Sequence, residues 1–138
     1  MAELHRLDEL RALATQAAQR AYAPYSKLSV GAALLSANGA VYVGCNVENA
    51  AFPVGGCAER AAIATAVQSE GAAFRLAAIA VAAFAADGAA LPVSPCGACR
   101  QALVEFGEDA AVTFRDAHGG WTQVDSGALL PWRFVMPG

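Results

Sequence analysis

The sequence predicts an α/β fold: a three-layer α/β/α sandwich on a mixed sheet of about five strands. Three observations carry that prediction. Asn38-Gly39, set between two apolar runs, marks an antiparallel hairpin in the first third of the chain. Further on, apolar runs of strand length alternate with helical stretches, and a strand-helix-strand unit needs a crossover that lays its strands parallel. The element order is helix, hairpin, helix, strand, helix, strand, strand, which fits a sheet with helices on both faces.

The first helix follows from Leu4, Leu7, Leu10 and Leu13, extended by Ala14, Ala17, Ala18 and Ala21 as one apolar face. Pro24 ends it by excluding the helical conformation from Ala23. Val30–Leu35 and Val41–Val43 form the hairpin across Ser36-Ala37-Asn38-Gly39, with Asn38 and Gly39 both expected at positive φ. After the loop through Pro53-Val54-Gly55-Gly56, Cys57–Ser69 is predicted helical and stops near Gly71. Leu76–Phe84 is a buried strand, Asp87–Pro92 a loop, and Cys96–Phe106 a third helix closed by Gly107. Ala110–Phe114 and Trp121–Val124 complete the sheet, with His118-Gly119-Gly120 turning between them.

With 138 residues the chain has room for one domain, 1–138, and not for two of ordinary size. Hydrophobic residues make up 57%, so core material is plentiful, and mean hydropathy is +0.39. Charged residues make up only 15%, against roughly 25% in a typical soluble domain. A small domain has a high surface-to-volume ratio, so such an apolar chain is expected to cover part of itself with further copies. The net charge of −3 comes with nine basic residues scattered along the chain, which form no cluster able to hold a phosphate backbone. A nucleic-acid polymer is therefore excluded as partner, and a small uncharged substrate is favoured. Leu76–Ala86, the longest apolar stretch, is too short to span a bilayer. Met1–Arg20 has no apolar core followed by a cleavage site, so a cytoplasmic address is expected. In that compartment four cysteines read as metal ligands or buried thiols rather than disulfides.

Two short segments carry the chemistry: Cys57-Ala58-Glu59-Arg60 and Pro95-Cys96-Gly97-Ala98-Cys99. A C-x-x-C alone is ambiguous between a metal site, a redox pair and chance. The first segment adds a third sulfur beside a carboxylate, and both segments open predicted helices. Helix N-termini carry partial positive charge and open N–H groups, which favour thiolate over thiol. Cys96 and Cys99, three apart, face one side of their first turn. Cys57 and Glu59 are two apart, but side chains of a first turn lean toward the N-terminus, so both reach an ion lying off the helix end. Three thiolates on Zn²⁺ leave one tetrahedral position for water, the catalytic rather than the structural arrangement.

Further blocks extend the pattern: Tyr22-Ala23-Pro24-Tyr25-Ser26, Val30-Gly31-Ala32-Ala33-Leu34-Leu35, Gly44-Cys45-Asn46-Val47-Glu48-Asn49-Ala50, and Ser94 through Gln101. Over these blocks, fading after Leu129-Leu130-Pro131, the chain resembles the small homotetrameric cytidine deaminases of pyrimidine nucleoside salvage. The resemblance implies one Zn²⁺ per chain on Cys57, Cys96 and Cys99, and hydrolysis of a cyclic amidine C–N bond. Cytidine and deoxycytidine would become uridine and deoxyuridine, with release of ammonia. It further implies that Glu59 carries the proton of a zinc-activated water first to N3 of cytosine and then to the departing amine. Asn46 and Glu48 match residues that hold the ribose hydroxyls, and Ala58 a backbone contact to the base. Arg60 matches a donor to the thiolates, whose charge with Zn²⁺ sums to −1 and calls for a cation nearby. Phe134 matches an aromatic that reaches a neighbouring subunit's site.

The chain departs from that pattern in three places. Leu28 stands where a phenylalanine packs on the pyrimidine, Phe52 replaces a tyrosine, and the tail after Phe134 is shortened to Val135-Met136-Pro137-Gly138. A lost aromatic contact costs about 0.5–1.5 kcal/mol, which bears on affinity and not on reaction class. Rival readings are the same chemistry on another aminated heterocycle such as blasticidin S, a structural zinc module and a redox dithiol. The Asn46–Glu48 pair favours a ribose-bearing substrate over the first. Cys45 as a fourth thiolate would close the site and favour the second. His5 and His118 read as surface residues, and Trp121 and Trp132 as packing or interface groups.

Overall fold

Alternation along two strands decides how the layers stack. In the computed structural model, which describes the backbone of residues 2–138 and the side chains from Arg6 onward, β1 spans Ser29–Ser36 and β3 spans Leu76–Phe84. The side chains of Leu4 and His5 lie outside the described residues. β1 sends Ala32 and Leu34 to one face and Ala33 to the other. β3 likewise divides Ile79, Val81 and Ala83 from Ala78, Ala80 and Ala82. Helix α1 (Ala2–Ala18) covers the second set with Leu7, Leu10 and Ala14. Helices α2 (Ala58–Glu70) and α3 (Gly97–Phe106) cover the first with Ala62, Ile63, Ala66 and Leu103. The result is the three-layer α/β/α sandwich that the sequence predicts.

The remaining strands are β2 (Val41–Cys45), β4 (Ala90–Leu91), β5 (Ala111–Arg115) and β6 (Trp121–Asp125). The sheet runs β2-β1-β3-β5-β6, with β4 paired to β3 as a sixth strand. β4 falls where the sequence predicts only a loop; its two residues are too few to show any alternation. β3 and β5, joined through α3, pair in parallel as a crossover requires. β2 and β3, joined through α2, are not neighbours, because β1 lies between them and pairs antiparallel with both.

Two local details differ from the sequence expectation. α1 stops at Ala18, short of Pro24, because the chain turns to bring Tyr22 beside Val47 in a parallel bridge. At the hairpin only Gly39 takes positive φ (95°) and Asn38 does not. The Gly39 amide donates to the Ser36 carbonyl and the Ser36 amide to Ala40, the three-residue loop that ends on a left-handed glycine.

Two glycines set how closely the helices approach the sheet. A Cβ on Gly31 would lie 2.0 Å from the Ala14 carbonyl oxygen of α1, and one on Gly44 would lie 2.5 Å from the Ala62 nitrogen of α2. Backbone rather than side chain is met in both places, so these positions admit no side chain. Gly44 thereby seats α2 on the hairpin and sets the height of the helix start that carries Cys57.

Candidate active site

Both reactive segments sit where a helix begins. Cys57 and Cys96 are the N-cap residues of α2 and α3, in extended conformation and without a side-chain cap bond. The amides of each first turn therefore stay open toward the sulfurs. Sγ of Cys57 lies 3.8 Å from Sγ of Cys96, and these two sulfurs and that of Cys99 all fall within 4.8 Å of one another. Tetrahedral coordination with Zn–S bonds of about 2.3 Å places two sulfurs about 3.8 Å apart. The donor set thus fits a zinc ion in both chemistry and spacing. Among the described residues this is the group of three or more His, Cys, Asp or Glu side chains placed to hold a metal.

The electrostatics of the trio call for a cation. Burial opposes ionisation of Cys96, yet the Cys99 amide, the Cys99 thiol and the Cys57 thiol donate to it and hold it below the usual thiol value. Burial, and then the charges of Glu59 and Cys57, push Cys99 strongly upward. Without a cation Cys96 therefore ionises more easily than an ordinary thiol while Cys99 resists ionisation; a dication among the sulfurs reverses that resistance. Arg60, on the first turn of α2, donates from Nη2 to Sγ of Cys57 at 3.5 Å. Its hydrogen bonds to the thiolates raise its own pKa.

Glu59 stands on the same first turn and is only 4% exposed. Burial raises its pKa, while its own amide, the Cys99 thiol and Arg60 pull the other way. A desolvated carboxyl holds a proton more readily than an exposed one, and donors beside it stabilise the charged form, so it is suited to take up and give back a proton.

Cys57, Ala58, Glu59 and Cys96 form one side of a cavity of about 350 Å³, a size that suits a small-molecule ligand. Leu28, Val30, Val47, Val81 and Val93 give it an apolar wall, and Asn46 and Glu48 also line it. Asn46 donates from Nδ2 to the Leu28 carbonyl and accepts from the Val30 amide, both at 2.8 Å. Glu48 accepts from the Tyr25 amide at 2.9 Å, the Ser26 amide at 3.1 Å and the Ser26 hydroxyl. Those bonds, led by the Ser26 hydroxyl, hold the Glu48 carboxyl below its ordinary value.

A family model described as the cytidine and deoxycytidylate deaminase zinc-binding region matches residues 5–115. The chain belongs to that deaminase family. It is 42% identical over 129 residues to a cytidine deaminase of Sporosarcina psychrophila, covering 93% of this chain and 90% of that one. A cytidine deaminase of Mycobacterium tuberculosis is 48% identical over 98 residues, 71% of this chain and 69% of the relative. The crystal structure of a cytidine deaminase from Burkholderia pseudomallei superposes with a TM-score of 0.79 at 40% identity, covering 92% of this chain and 98% of its own. The structure of the Mycobacterium tuberculosis enzyme gives 0.74 at 40% identity, over 94% and 98%.

In this member of the deaminase family the other singled-out residues fall apart from the cavity. Cys45 ends β2 near Leu13 and Gln16 and is no part of the sulfur group. Phe134 is 65% exposed and does not line the cavity; its carbonyl accepts from Nε2 of Gln101 at 3.2 Å. Trp132 is fully exposed, whereas the Trp121 ring is flanked by the guanidiniums of Arg11 and Arg115. His118 is exposed in its turn, with its amide on Asp116. Two deaminase residues received no role from sequence reasoning. Ser26 holds Glu48, and Ser94 lines the cavity beside Cys96. Both stand in the sequence blocks that carry the family resemblance, Ser94 directly before Pro95-Cys96 and Ser26 at the end of Tyr22–Ser26, but neither spacing points to a role.

Proposed function

We propose that this chain is a zinc-dependent cytidine deaminase, hydrolysing cytidine and deoxycytidine to uridine and deoxyuridine with release of ammonia. One observation carries the reading: in a member of the deaminase family, three sulfurs spaced for zinc flank a buried carboxylate at the wall of a cavity of nucleoside size. Zinc, when bound, acts as a Lewis acid that brings the pKa of a water toward neutrality. Cys57, Cys96 and Cys99 hold the ion, and Arg60 offsets their excess negative charge.

Glu59 takes one proton of the water and gives it to N3 of cytosine as the water's oxygen adds at C4. It then carries the second proton, from the new C4 hydroxyl, to the amine, so that the C4–N bond breaks, ammonia leaves and C4 becomes a carbonyl. The burial of Glu59 beside the sulfurs supports that role. Asn46 and Glu48 hold the ribose hydroxyls; each is fixed by its own hydrogen bonds, which supports a pre-set polar edge on an otherwise apolar cavity. Ala58 offers its backbone to the base, and Leu28 packs on it. Phe134, exposed and outside its own chain's cavity, fits a residue that acts in a neighbouring copy within a homotetramer. The whole chain, 1–138, is read as one domain, working in the cytoplasm in pyrimidine salvage. Among the described residues no helix is long and apolar enough to cross a membrane.

The test follows uridine formation from cytidine with and without a chelator, alongside a Glu59→Gln variant. Turnover that needs zinc, and a variant that keeps one zinc per chain while losing about 10²–10⁴-fold in rate, is the expected result. Unchanged turnover in Glu59→Gln would overturn the mechanism, and preferential attack on blasticidin S would move the substrate to another aminated heterocycle.

A further inference from the structure

The loop from Pro92 to Cys96 has no regular structure, yet it delivers one of the three sulfurs. Pro95, just ahead of that sulfur, has no N–H with which to anchor the backbone, and it is fully buried, so its carbonyl needs a partner. Arg100 supplies one. It lies on α3, and its side chain leans back past the helix start, as helical side chains do. Nε donates to the Pro95 carbonyl at 2.8 Å, Nη2 to the Ser94 hydroxyl at 3.1 Å and Nη1 to the Leu129 carbonyl at 3.1 Å. Leu129 closes the 3-10 turn Ser126–Leu129 that follows β6. One guanidinium therefore ties the two residues before Cys96 to the C-terminal segment. That segment is also held to the turn that follows α3: the Gly127 amide donates to the Glu108 carbonyl at 2.8 Å, and Arg133 pairs with Glu108 at 2.6 Å.

We propose that Arg100 is a positioning residue for the metal-binding site, fixing Ser94–Pro95, and through them the Cys96 sulfur, against the C-terminal segment. The inference rests on the zinc reading above. Cys96 is the exposed member of the trio, so it has the least packing to hold it in place; its neighbours Cys57 and Cys99 are half-buried and buried. Three acceptors in different directions match the fork of a guanidinium and not the single ammonium of a lysine.

The test loads wild type, Arg100→Met, Arg100→Lys and Arg133→Ala with zinc or cobalt(II). It reads the rate of zinc release to a chelator and the cobalt–thiolate charge-transfer absorption. Arg133→Ala cuts a tie of the same C-terminal segment without touching Ser94 or Pro95. Arg100→Met is expected to release zinc on the order of 10-fold faster, with an altered charge-transfer band. Arg100→Lys falls between it and wild type, and carries the comparison alone if Arg100→Met does not fold. Arg133→Ala matches wild type in both readouts. Arg100 variants indistinguishable from wild type, or an Arg133→Ala variant that reproduces their change, overturn the proposal. A wild-type chain that takes up neither metal overturns the zinc reading, and this inference with it.

Discussion

Glu48 shows how a side chain at the cavity edge is held ready by its own fold. Its carboxylate gathers the Ser26 hydroxyl and the amides of Ser26 and Tyr25, donors that favour the charged form and lower its pKa. A carboxyl whose pKa is lower folded than unfolded adds stability above the unfolded value, and that addition is lost as pH falls through the folded value. Glu48→Gln removes the charge. The variant is expected to melt below wild type at pH 7, with the gap closing as the pH drops below 4.5, the ordinary value for this group. Melting curves across pH 3 to 7, on the order of one per half unit, check it. Arg60 makes the opposite kind of contribution, a cation set 3.5 Å from a ligand sulfur. Arg60→Ala is expected to weaken zinc binding by about 10–100-fold, read by competition with a chelator.

At the scale of elements the two glycines that look alike in sequence divide. Gly39 needs its positive φ of 95°, but a Cβ there would meet nothing within 4 Å. Gly39→Ala is expected to cost about 1 kcal/mol through backbone strain and to leave zinc content unchanged. Gly44→Ala would drive a Cβ into the backbone of α2, 2.5 Å from Ala62 and 2.6 Å from Ala58. Its expected cost is about 1–3 kcal/mol, with faster zinc loss because the helix start bearing Cys57 is displaced. Thermal melts paired with zinc release separate the two variants. The same contrast marks what sequence can tell. Helix starts at Cys57 and Cys96 were legible to within a residue, because the ligand spacing and the helical pattern point to the same place. The insertion of β1 between β2 and β3 was not, since it depends on which strands pair across the chain. Nor were the bonds from Ser26 to Glu48 and from Arg100 to Leu129, which join residues far apart in sequence.

For the molecule as a whole, the apolar composition finds a structural counterpart on the surface. Phe52 and Val54 are exposed, with Phe52 edge-on to the half-exposed Tyr25, and Trp132, Phe134, Val135 and Met136 leave the tail equally apolar. Surfaces of this kind in a small domain call for cover by another protein surface. If the cover is a second copy of the chain that also completes the site, mass and activity must fall together. Sedimentation is then expected to give a multiple of 14.1 kDa, and dilution should lower the specific activity over the same concentration range as the mass. Phe52→Asp combined with Val54→Asp places two charges in this surface, while neither side chain belongs to the sulfur group. The double variant should shift to a smaller species that still holds one zinc per chain and turns over cytidine poorly. A 14.1 kDa species with full activity would show instead that each chain completes its own site.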